Sequence, residues 1–502
     1  WTPRAPRWGG CMKGSAMTED KKDSWRVALT LGFVLVLYAV LPMLLSDSIP
    51  HDMSENLYWG RELQWGYYKH PFLFAWTSYG FYRLFGGWPE SMYILTQLGM
   101  AAALFFIYRI GLLFLRDRKR ALMSVLLFAA TLIPSVGNQK FNANTVLIPL
   151  LPMAFYFFAK FASHPGFWNA VALGASAGLA MLGKYFAALP LLAMCAAYLW
   201  RKENLKNLKT AWPYVALAVF FAIVSGHLIW LVENDFITLS YAFEKAGATE
   251  NALLGRIKYP LSYLATQVVT LLPAFLLARR LRKGKALKLK PDLDVRDYEK
   301  FLVGFVFVVP LAVPFALALA VNMRLGTYWA SPLYYLLGVY VLQRNDLKLD
   351  IKGACGFVLA VNLIVAALGS ISGIATGIYA RRHPEKTIVA FLNAREVSDY
   401  ITMEWRAKFG PDYPIKYIVA DKMTDALAAY LPDNPHIYTG PVETPAIDYG
   451  AMLEYCYVKT ALSAGGMECS PYSGVGDWDR VFYKTVGGHM IDIEFICKGG
   501  KK

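Results

Sequence analysis

The sequence predicts a polytopic, all-α membrane protein of about eleven transmembrane helices, followed by a small α/β domain on the outer side. Three observations predict it. The 502 residues are 56% hydrophobic and 15% aromatic but only 17% charged, where soluble domains carry about 25% charge. Apolar runs of roughly the 20 residues that a span needs recur over residues 27–379. The cations gather in alternate gaps between those runs. The formal net charge is +15, which in a soluble chain would suggest nucleic acid. Here the clustering between apolar runs fits loops facing anionic lipid instead, and nucleic-acid binding is set aside.

The first sixteen residues, WTPRAPRWGGCMKGSA, differ from the rest, and Met17 reads as a more natural start. They are excluded from fold reasoning. Residues 1–26 form an N-terminal tail. The run from Val27 to Leu45 is followed by no small-residue cleavage site and reads as a first membrane helix. Further spans are expected to begin near Tyr93, Ala121, Thr145, Trp168, Phe186, Pro213, Pro260, Phe301, Tyr328 and Gly353. Several contain Pro or Gly, which membrane helices tolerate.

One set of gaps holds Arg116, Arg118, Lys119, Arg120, Lys160, Arg201, Lys202, Lys206 and Lys209, then the basic stretch 279–290, then Arg344, Lys348 and Lys352. Lys21, Lys22 and Arg26 fall on the same side. The other set is poorer in cations: Arg61, Lys69, Arg83, Lys140, Lys184, Lys245, Arg256, Lys258 and Arg324. The rich side is therefore cytoplasmic. The expected organisation is a cytoplasmic tail, a transmembrane domain over 27–379 with a large first outer loop at 47–90, and a soluble periplasmic domain over 380–502.

In that last domain, Lys416–Asp421 reads as a strand, Met423–Leu431 as a helix and His436–Thr439 as a strand. Of the six cysteines, Cys195 and Cys355 lie in apolar runs and read as core. A periplasmic disulfide such as Cys456–Cys469 is allowed, and the spacing does not fix the pairing.

The first outer loop is the most informative stretch. Trp59, Trp65, Tyr67, Tyr68, Trp76 and Tyr79 place it in the interfacial belt. An anchor would need no more than that. Asp52 and Glu55, however, are three apart and share a face if helical. Lys69 and His70 follow, directly before Pro71, as a cation pair suited to a lipid phosphate. Other outer-side residues could join them. Lys184 interrupts GLAMLGKYFAALP and either snorkels or binds. His227 reads first as a hydrogen-bonded structural residue. Arg256 lies in a longer loop whose simpler role is a solvated face. Asn142 and Asn144 open a span and could cap it.

Together these residues resemble one family. The stretch from Asp52 to Trp76, D-x-x-E-N-x-x-W-G-R-E-L-Q-W-G-Y-Y-K-H-P-F-L-F-A-W, is similar to the first outer loop of bacterial glycosyltransferase family 39 proteins. These are relatives of the protein O-mannosyltransferases and of the lipid A aminoarabinose transferase, within the GT-C superfamily. FNANTVLIPL, GLAMLGKYFAALP, GHLIWLVENDF and TYWASPLYYL resemble later blocks in the same order. The resemblance implies an outer-face cavity, a polyprenyl-phosphate-sugar donor and an outer-side acceptor. It also implies that Asp52 or Glu55 is the base and that Lys69 lies near the lipid phosphate. The chain departs from the pattern at three places. Ser54 precedes Glu55 where many relatives have an acid, Asn142 and Asn144 stand where many have Asp, and Phe72 replaces a second Pro. Which acid is the base stays open.

The chemistry agrees with that implication. A polyprenyl phosphate already leaves as an anion, so the enzyme needs a base for the incoming hydroxyl and cations for the departing phosphate. Asp52 and Glu55 are the catalytic candidates. Lys69, His70, Lys184 and Arg256 are the phosphate candidates, with His227, Asn142 and Asn144 in reserve. A single displacement would invert the anomeric centre. The expected enzyme moves a sugar from an undecaprenyl-type phosphate to lipid A, lipopolysaccharide or another envelope glycan in the bacterial inner membrane. No cofactor is required, no tight ligand cluster suggests a metal, and dependence on a divalent ion stays open. The rival reading is a transporter or flippase using Lys184 and His227, but no repeat of the kind transporters carry is visible. A scaffold without catalysis would leave the charged loop unexplained.

Overall fold

The structure is a computed structural model that describes residues 19–247, 252–283, 298–321, 323–383, 389–453, 455–462, 477–484 and 490–497. In chain order its helices are α1 (Glu19–Leu45), α2 (His51–Arg61), α3 (Leu73–Leu84), α4 (Ser91–Leu115), α5 (Arg118–Ala129), α6 (Leu147–Ser163), α7 (Phe167–Gly183), α8 (Ala188–Trp200), α9 (Lys202–Leu205), α10 (Trp212–Glu233), α11 (Ile237–Ala246), α12 (Ala252–Leu281), α13 (Tyr298–Val321), α14 (Leu337–Arg344) and α15 (Ile351–Arg382). The C-terminal domain adds α16 (Ala394–Phe409), α17 (Leu427–Tyr430) and α18 (Tyr449–Met452) with a five-stranded sheet.

Six described helices are long and apolar enough to cross a membrane: α1, α4, α10, α12, α13 and α15. They carry their apolar side chains outward as well as inward, as a helix solvated by lipid does. Leu29, Val36 and Leu44 of α1 are exposed, as are Ile364, Leu368 and Ile371 of α15. The five other predicted spans fall on shorter helices. The one expected near Ala121 is α5, with turns following it. Those near Thr145 and Trp168 are α6 and α7. The one near Phe186 is a single 3₁₀ turn, Tyr185–Ala187, continued by α8. The one near Tyr328 is a 3₁₀ segment, Thr327–Leu336, continued by α14. Pro332 sits inside that segment, where it could not keep an α-helical hydrogen bond.

The cation-rich junctions meet at one end of the bundle. Lys119 Nζ lies 3.7 Å from Asp23, and Arg118 Nε donates to Ser24 Oγ at 3.1 Å. Arg116 pairs with Glu299, Arg201 stacks 4.9 Å over the Tyr298 ring, and Arg344 donates to the Lys300 carbonyl at 2.7 Å. Asp117 caps α5 by accepting from the Arg120 amide at 2.7 Å, and Asp350 caps α15 by accepting from the Gly353 amide at 2.8 Å. Close approach is built from small residues. A Cβ on Gly174 would stand 2.2 Å from the Ala216 carbonyl oxygen, so α7 and α10 touch backbone to backbone there.

At the opposite end α2 and α3 fold over the bundle, and the C-terminal domain sits against them. Its strands are β1 (Tyr417–Ala420), β2 (His436–Tyr438), β3 (Tyr457–Leu462), β4 (Asp477–Lys484) and β5 (Met490–Cys497). The sheet order is β2-β1-β3-β5-β4. β1 is parallel to β2 and β3, while β5 runs antiparallel to β3 and β4. The two predicted strands are present. The expected helix over Met423–Leu431 narrows to α17, because Asp421 accepts from the Met423 and Thr424 amides and turns the chain first. Trp405 of α16 is fully buried against Phe495. Cys355 is buried as expected, but Cys195 is exposed on α8 and is not a core residue. Cys456 is disulfide-bonded; Cys469, Cys11 and the first sixteen residues lie outside the described residues.

Gly60 fixes the angle between α2 and α3, because a Cβ there would lie 2.3 Å from the Ala75 carbonyl oxygen and 2.5 Å from the Tyr79 Cβ. Gly60→Ala should therefore cost about 1–3 kcal/mol, seen as a lower thermal midpoint of the purified protein in detergent. Gly80→Ala, on α3 but facing open space, should not lower it.

Candidate active site

Helix α2 opens at Pro50, whose backbone is extended at φ −68° and ψ 154°. Asp52 then falls in the first turn, where a carboxylate is favoured by the helix dipole. The rest of the helix is sunk into the protein. Residues Met53 to Gly60 are all buried. Asn56 Nδ2 donates to the Phe141 carbonyl at 2.8 Å, and Trp59 Nε1 donates to the Glu443 carbonyl at 2.9 Å. The Trp59 indole stacks on Tyr67 with ring centres 5.3 Å apart. A helix held this way can present charged groups at fixed positions.

The shared face expected of Asp52 and Glu55 is present, but the two acids have different surroundings. Asp52 Oδ2 accepts from Lys140 Nζ at 2.8 Å and from Asn142 Nδ2 at 2.9 Å. Its side chain remains 37% exposed. Burial raises its carboxyl, but Lys140, Asn142 and His51 outweigh burial, so it sits below the ordinary carboxylate value. Glu55 is only 10% exposed and pairs with Lys69. Its burial prevails over Lys69 and His51, and its carboxyl is raised. Asp52 is thus the ionised, reachable carboxylate, and Glu55 the enclosed one.

Asn142 and Asn144 do not merely cap a span. Asn142 Oδ1 accepts from the amides of Asn144 and Thr145 at 2.9 and 3.1 Å, which aims its Nδ2 at Asp52. Asn144 Oδ1 accepts from Lys184 Nζ at 2.6 Å. The Lys184 ammonium also lies 5.3 Å from the Trp329 ring centre. Among the described residues no carboxylate lies within ion-pair distance of it, so it is the cation of the cluster whose charge is not matched. It sits where α7 ends, in an extended residue between that helix and the following 3₁₀ turn.

The other candidates divide. His70 lies edge-on to Phe74 and Tyr241, at 5.7 and 6.4 Å. Burial, then the nearby Lys184 and Lys69, push its imidazole well below the usual value, so it is neutral and does not form the expected cation pair with Lys69. His227 fastens the loop: its Nδ1 meets the Trp65 carbonyl at 2.7 Å and its Nε2 the Tyr185 hydroxyl at 2.6 Å. Arg256 is in α12, and its side chain lies outside the described residues. Among the described residues no three His, Cys, Asp or Glu side chains gather as a metal site.

Sequence reasoning missed Lys140, although it stands two residues before Asn142. It also missed His51 and Asp425, whose side chains meet at 2.6 Å, and Trp329. A cavity of about 260 Å³ is lined by the same two irregular segments, 131–146 and 327–336, together with α12. Leu132, Val136, Ala265, Val269 and Tyr328 line it together with Thr266, Thr270 and Ser331, so it is mainly apolar, and Tyr328 precedes Trp329.

The chain is similar to known proteins in sequence and in fold. Residues 69–230 match the family model described as dolichyl-phosphate-mannose-protein mannosyltransferase. The chain is 24% identical over 441 residues to the lipopolysaccharide core galacturonosyltransferase RgtA of Rhizobium johnstonii, covering 81% of this chain and 85% of that protein. It is 24% identical over 337 residues to RgtB of the same organism, covering 64% and 66%. In fold it matches ArnT from Cupriavidus metallidurans bound to undecaprenyl phosphate, with a TM-score of 0.62 at 12% identity, over 94% of this chain and 98% of that one. Apo ArnT gives 0.55 at 14% identity, with the same coverage. The family match spans Lys69, His70, Asn142, Asn144, Lys184 and His227 but begins after Asp52 and Glu55.

The contrast between the two acids has a measurable consequence. Breaking a buried ion pair by neutralising one partner typically costs about 3–5 kcal/mol. Glu55→Gln should lower the thermal midpoint in detergent markedly, whereas Asp52→Asn, at the half-exposed pair, should leave it within the error of the parent.

Proposed function

We propose that this chain is a membrane glycosyltransferase of the GT-C type, a reading its family-model match and its fold support, and that it moves a sugar from a polyprenyl phosphate to a hydroxyl of an envelope glycan. The observation that carries this reading is the pairing of a reachable, ionised Asp52 with the unmatched Lys184 cation, joined by the Asn142–Asn144 turn. In it, Asp52 Oδ takes the proton of the acceptor hydroxyl as the oxygen attacks the anomeric carbon. The bond from that carbon to the phosphate oxygen breaks on the opposite face, and the phosphate leaves with the electron pair. Lys184 and Lys69 stabilise the phosphate charge that develops. Neutral His70 can supply a hydrogen bond but no charge. Inversion follows from the single displacement.

The apolar cavity beside Tyr328 would take the first part of the isoprenoid chain, with its phosphate reaching Lys184 past Trp329. The two relatives named as lipopolysaccharide core galacturonosyltransferases support the finer reading of a uronic acid as the sugar and the lipopolysaccharide core as the acceptor. In this proposal the cation-rich end of the bundle faces the cytoplasm and the C-terminal domain the periplasm of the inner membrane.

Three outcomes are expected. With purified protein and a defined undecaprenyl-phosphate sugar, Asp52→Asn should bind donor like the parent and turn over about 10²–10⁴-fold more slowly, as for a lost general base. Normal turnover would remove Asp52 from the chemistry. Lys184→Ala should weaken undecaprenyl phosphate binding by the 1.5–3 kcal/mol typical of a charge-assisted contact, roughly 10–100-fold in Kd, with Lys184→Arg retaining most of it. Equal binding by both variants and the parent would move the phosphate elsewhere. An alkaline phosphatase fused after Lys502 should be active in cells and a green fluorescent protein there dark; the reverse would place the site on the cytoplasmic side.

A further inference from the structure

Asp425 is a fully enclosed carboxylate at the turn before α17, its side chain 0% exposed. Its own domain gives it little. Among the described residues Oδ1 has no hydrogen-bond partner, and Oδ2 meets His51 Nδ1 at 2.6 Å across the interface with the membrane bundle. An unsatisfied buried carboxylate is costly, and the turn around it does not need the charge. The amides of Met423 and Thr424 are held by Asp421, and the Asp425 amide donates to the Asp421 carbonyl. The other ring nitrogen of His51, Nε2, lies 3.7 Å from Glu55 Oε1, and Glu55 in turn holds Lys69. His51 is also the first residue of α2 and the neighbour of Asp52. A chain of alternating charge therefore runs Asp425, His51, Glu55, Lys69, from the C-terminal domain into the site.

We propose that Asp425 is a positioning residue: through His51 it sets the first turn of α2, and so fixes Asp52, Glu55 and Lys69 for the transfer. The domain does not depend on this bond to stay in place. Tyr82 donates to the Ala429 carbonyl at 3.0 Å, Asn434 donates to the Tyr79 hydroxyl at 3.0 Å, and His436 Nδ1 meets Glu62 at 2.7 Å. Tyr430 accepts from the Ile49 amide at 3.1 Å, and Trp59 donates to the Glu443 carbonyl. Removing one charge at Asp425 should thus disturb the site without releasing the domain.

The groups facing His51 define a pH window. Asp52 and Glu55 lie on its own helix, Lys69 on the turn before α3, and Asp425 with Asp421 behind it on the C-terminal domain; Tyr58 stands near Glu55 and Asp425. Burial lowers the His51 imidazole, but Asp425 and then Glu55 outweigh burial, and its net shift is upward from 6.5. Burial raises Asp425 to about 6 despite His51. The bond between opposite charges is then present above about pH 6, where Asp425 is ionised, and is lost as rising pH removes the His51 proton.

The test first reads the coupling without any assay of transfer, because the choice of Asp52 as base rests on the function proposed above. Of the two forms of a histidine side chain, diethyl pyrocarbonate modifies the neutral imidazole and not the imidazolium. Mass spectrometry of His51 modification against pH, on the full-length protein in detergent, should show a titration above the ordinary histidine value. Asp425→Asn should move it to lower pH, and Asp425→Glu should move it back. An unmoved titration in Asp425→Asn overturns the proposal whatever the enzyme's reaction. With transfer measured from undecaprenyl-phosphate sugar, Asp425→Asn should lower kcat on the order of 10²-fold, the effect of a small misplacement at the chemistry. It should also shift the alkaline limb of the kcat profile to lower pH, as a merely structural loss would not. A shifted His51 titration with kcat and its profile unchanged would also overturn the proposal, since the bond would then exist without serving the site. A shifted titration with no transfer even by the parent would instead count against the proposed function.

Discussion

Two carboxylates on one nearly buried helix turn set the constraint that the remainder of the site answers. Burying a charge is costly unless a counter-charge and hydrogen bonds replace the lost water. Glu55 receives Lys69 and, more distantly, His51. Asp52 receives Lys140 and Asn142 and keeps contact with solvent. In the proposed function this unequal treatment separates their roles: the enclosed acid is held by Lys69, and the acid that stays open is the one that reacts. A pair with equal surroundings would share one proton and blur that division.

The supporting segments are those in which the bundle abandons regular helix. The chain from Thr131 to Val146 runs as turns between α5 and α6, and the chain from Thr327 to Leu336 is 3₁₀. Irregular backbone at membrane depth is tolerated only where protein or a cavity covers it. Both segments are largely covered by protein: Ala330 to Leu336 are buried in the second, and Thr131, Ile133, Ser135 and Asn138 in the first. The first brings Lys140 and the two asparagines to Asp52, and the second brings Trp329 to Lys184. Both also line the apolar cavity. The break between α7 and the turn at Tyr185–Ala187 places Lys184 among them, so a charged residue enters the bundle at a point where its ammonium can be bonded.

The C-terminal domain belongs to the same arrangement. Its contacts fall on α2, α3 and the turns beside them, through Tyr82, Tyr79, Glu62, Trp59 and His51. A mixed sheet with a buried Trp405 gives a stiff body against which a short helix can be held. An eleven-residue helix such as α2 is marginal alone, and packing supplies what propensity cannot.

Much of this was legible in the residues themselves. Hydropathy and cation spacing determined a membrane bundle with its basic junctions at one end, because lipid and water act on each segment locally. The alternation of short apolar stretches gave β1 and β2 for the same reason. The three-residue spacing of Asp52 and Glu55 determined their shared face once a helix formed. What the sequence could not determine was which groups arrive from a distance. Lys140 and Lys184 both stood among the outer-side cations, yet Lys140 is matched by Asp52, whereas Lys184 is bonded to Asn144 and faced by Trp329, with no carboxylate partner among the described residues. His70 looked like a cation and is neutral, because burial and its lysine neighbours act through space. Asp425 carried no local signal at all; its meaning depends on a partner 374 residues away in the chain, and only folding brings such a charge to His51.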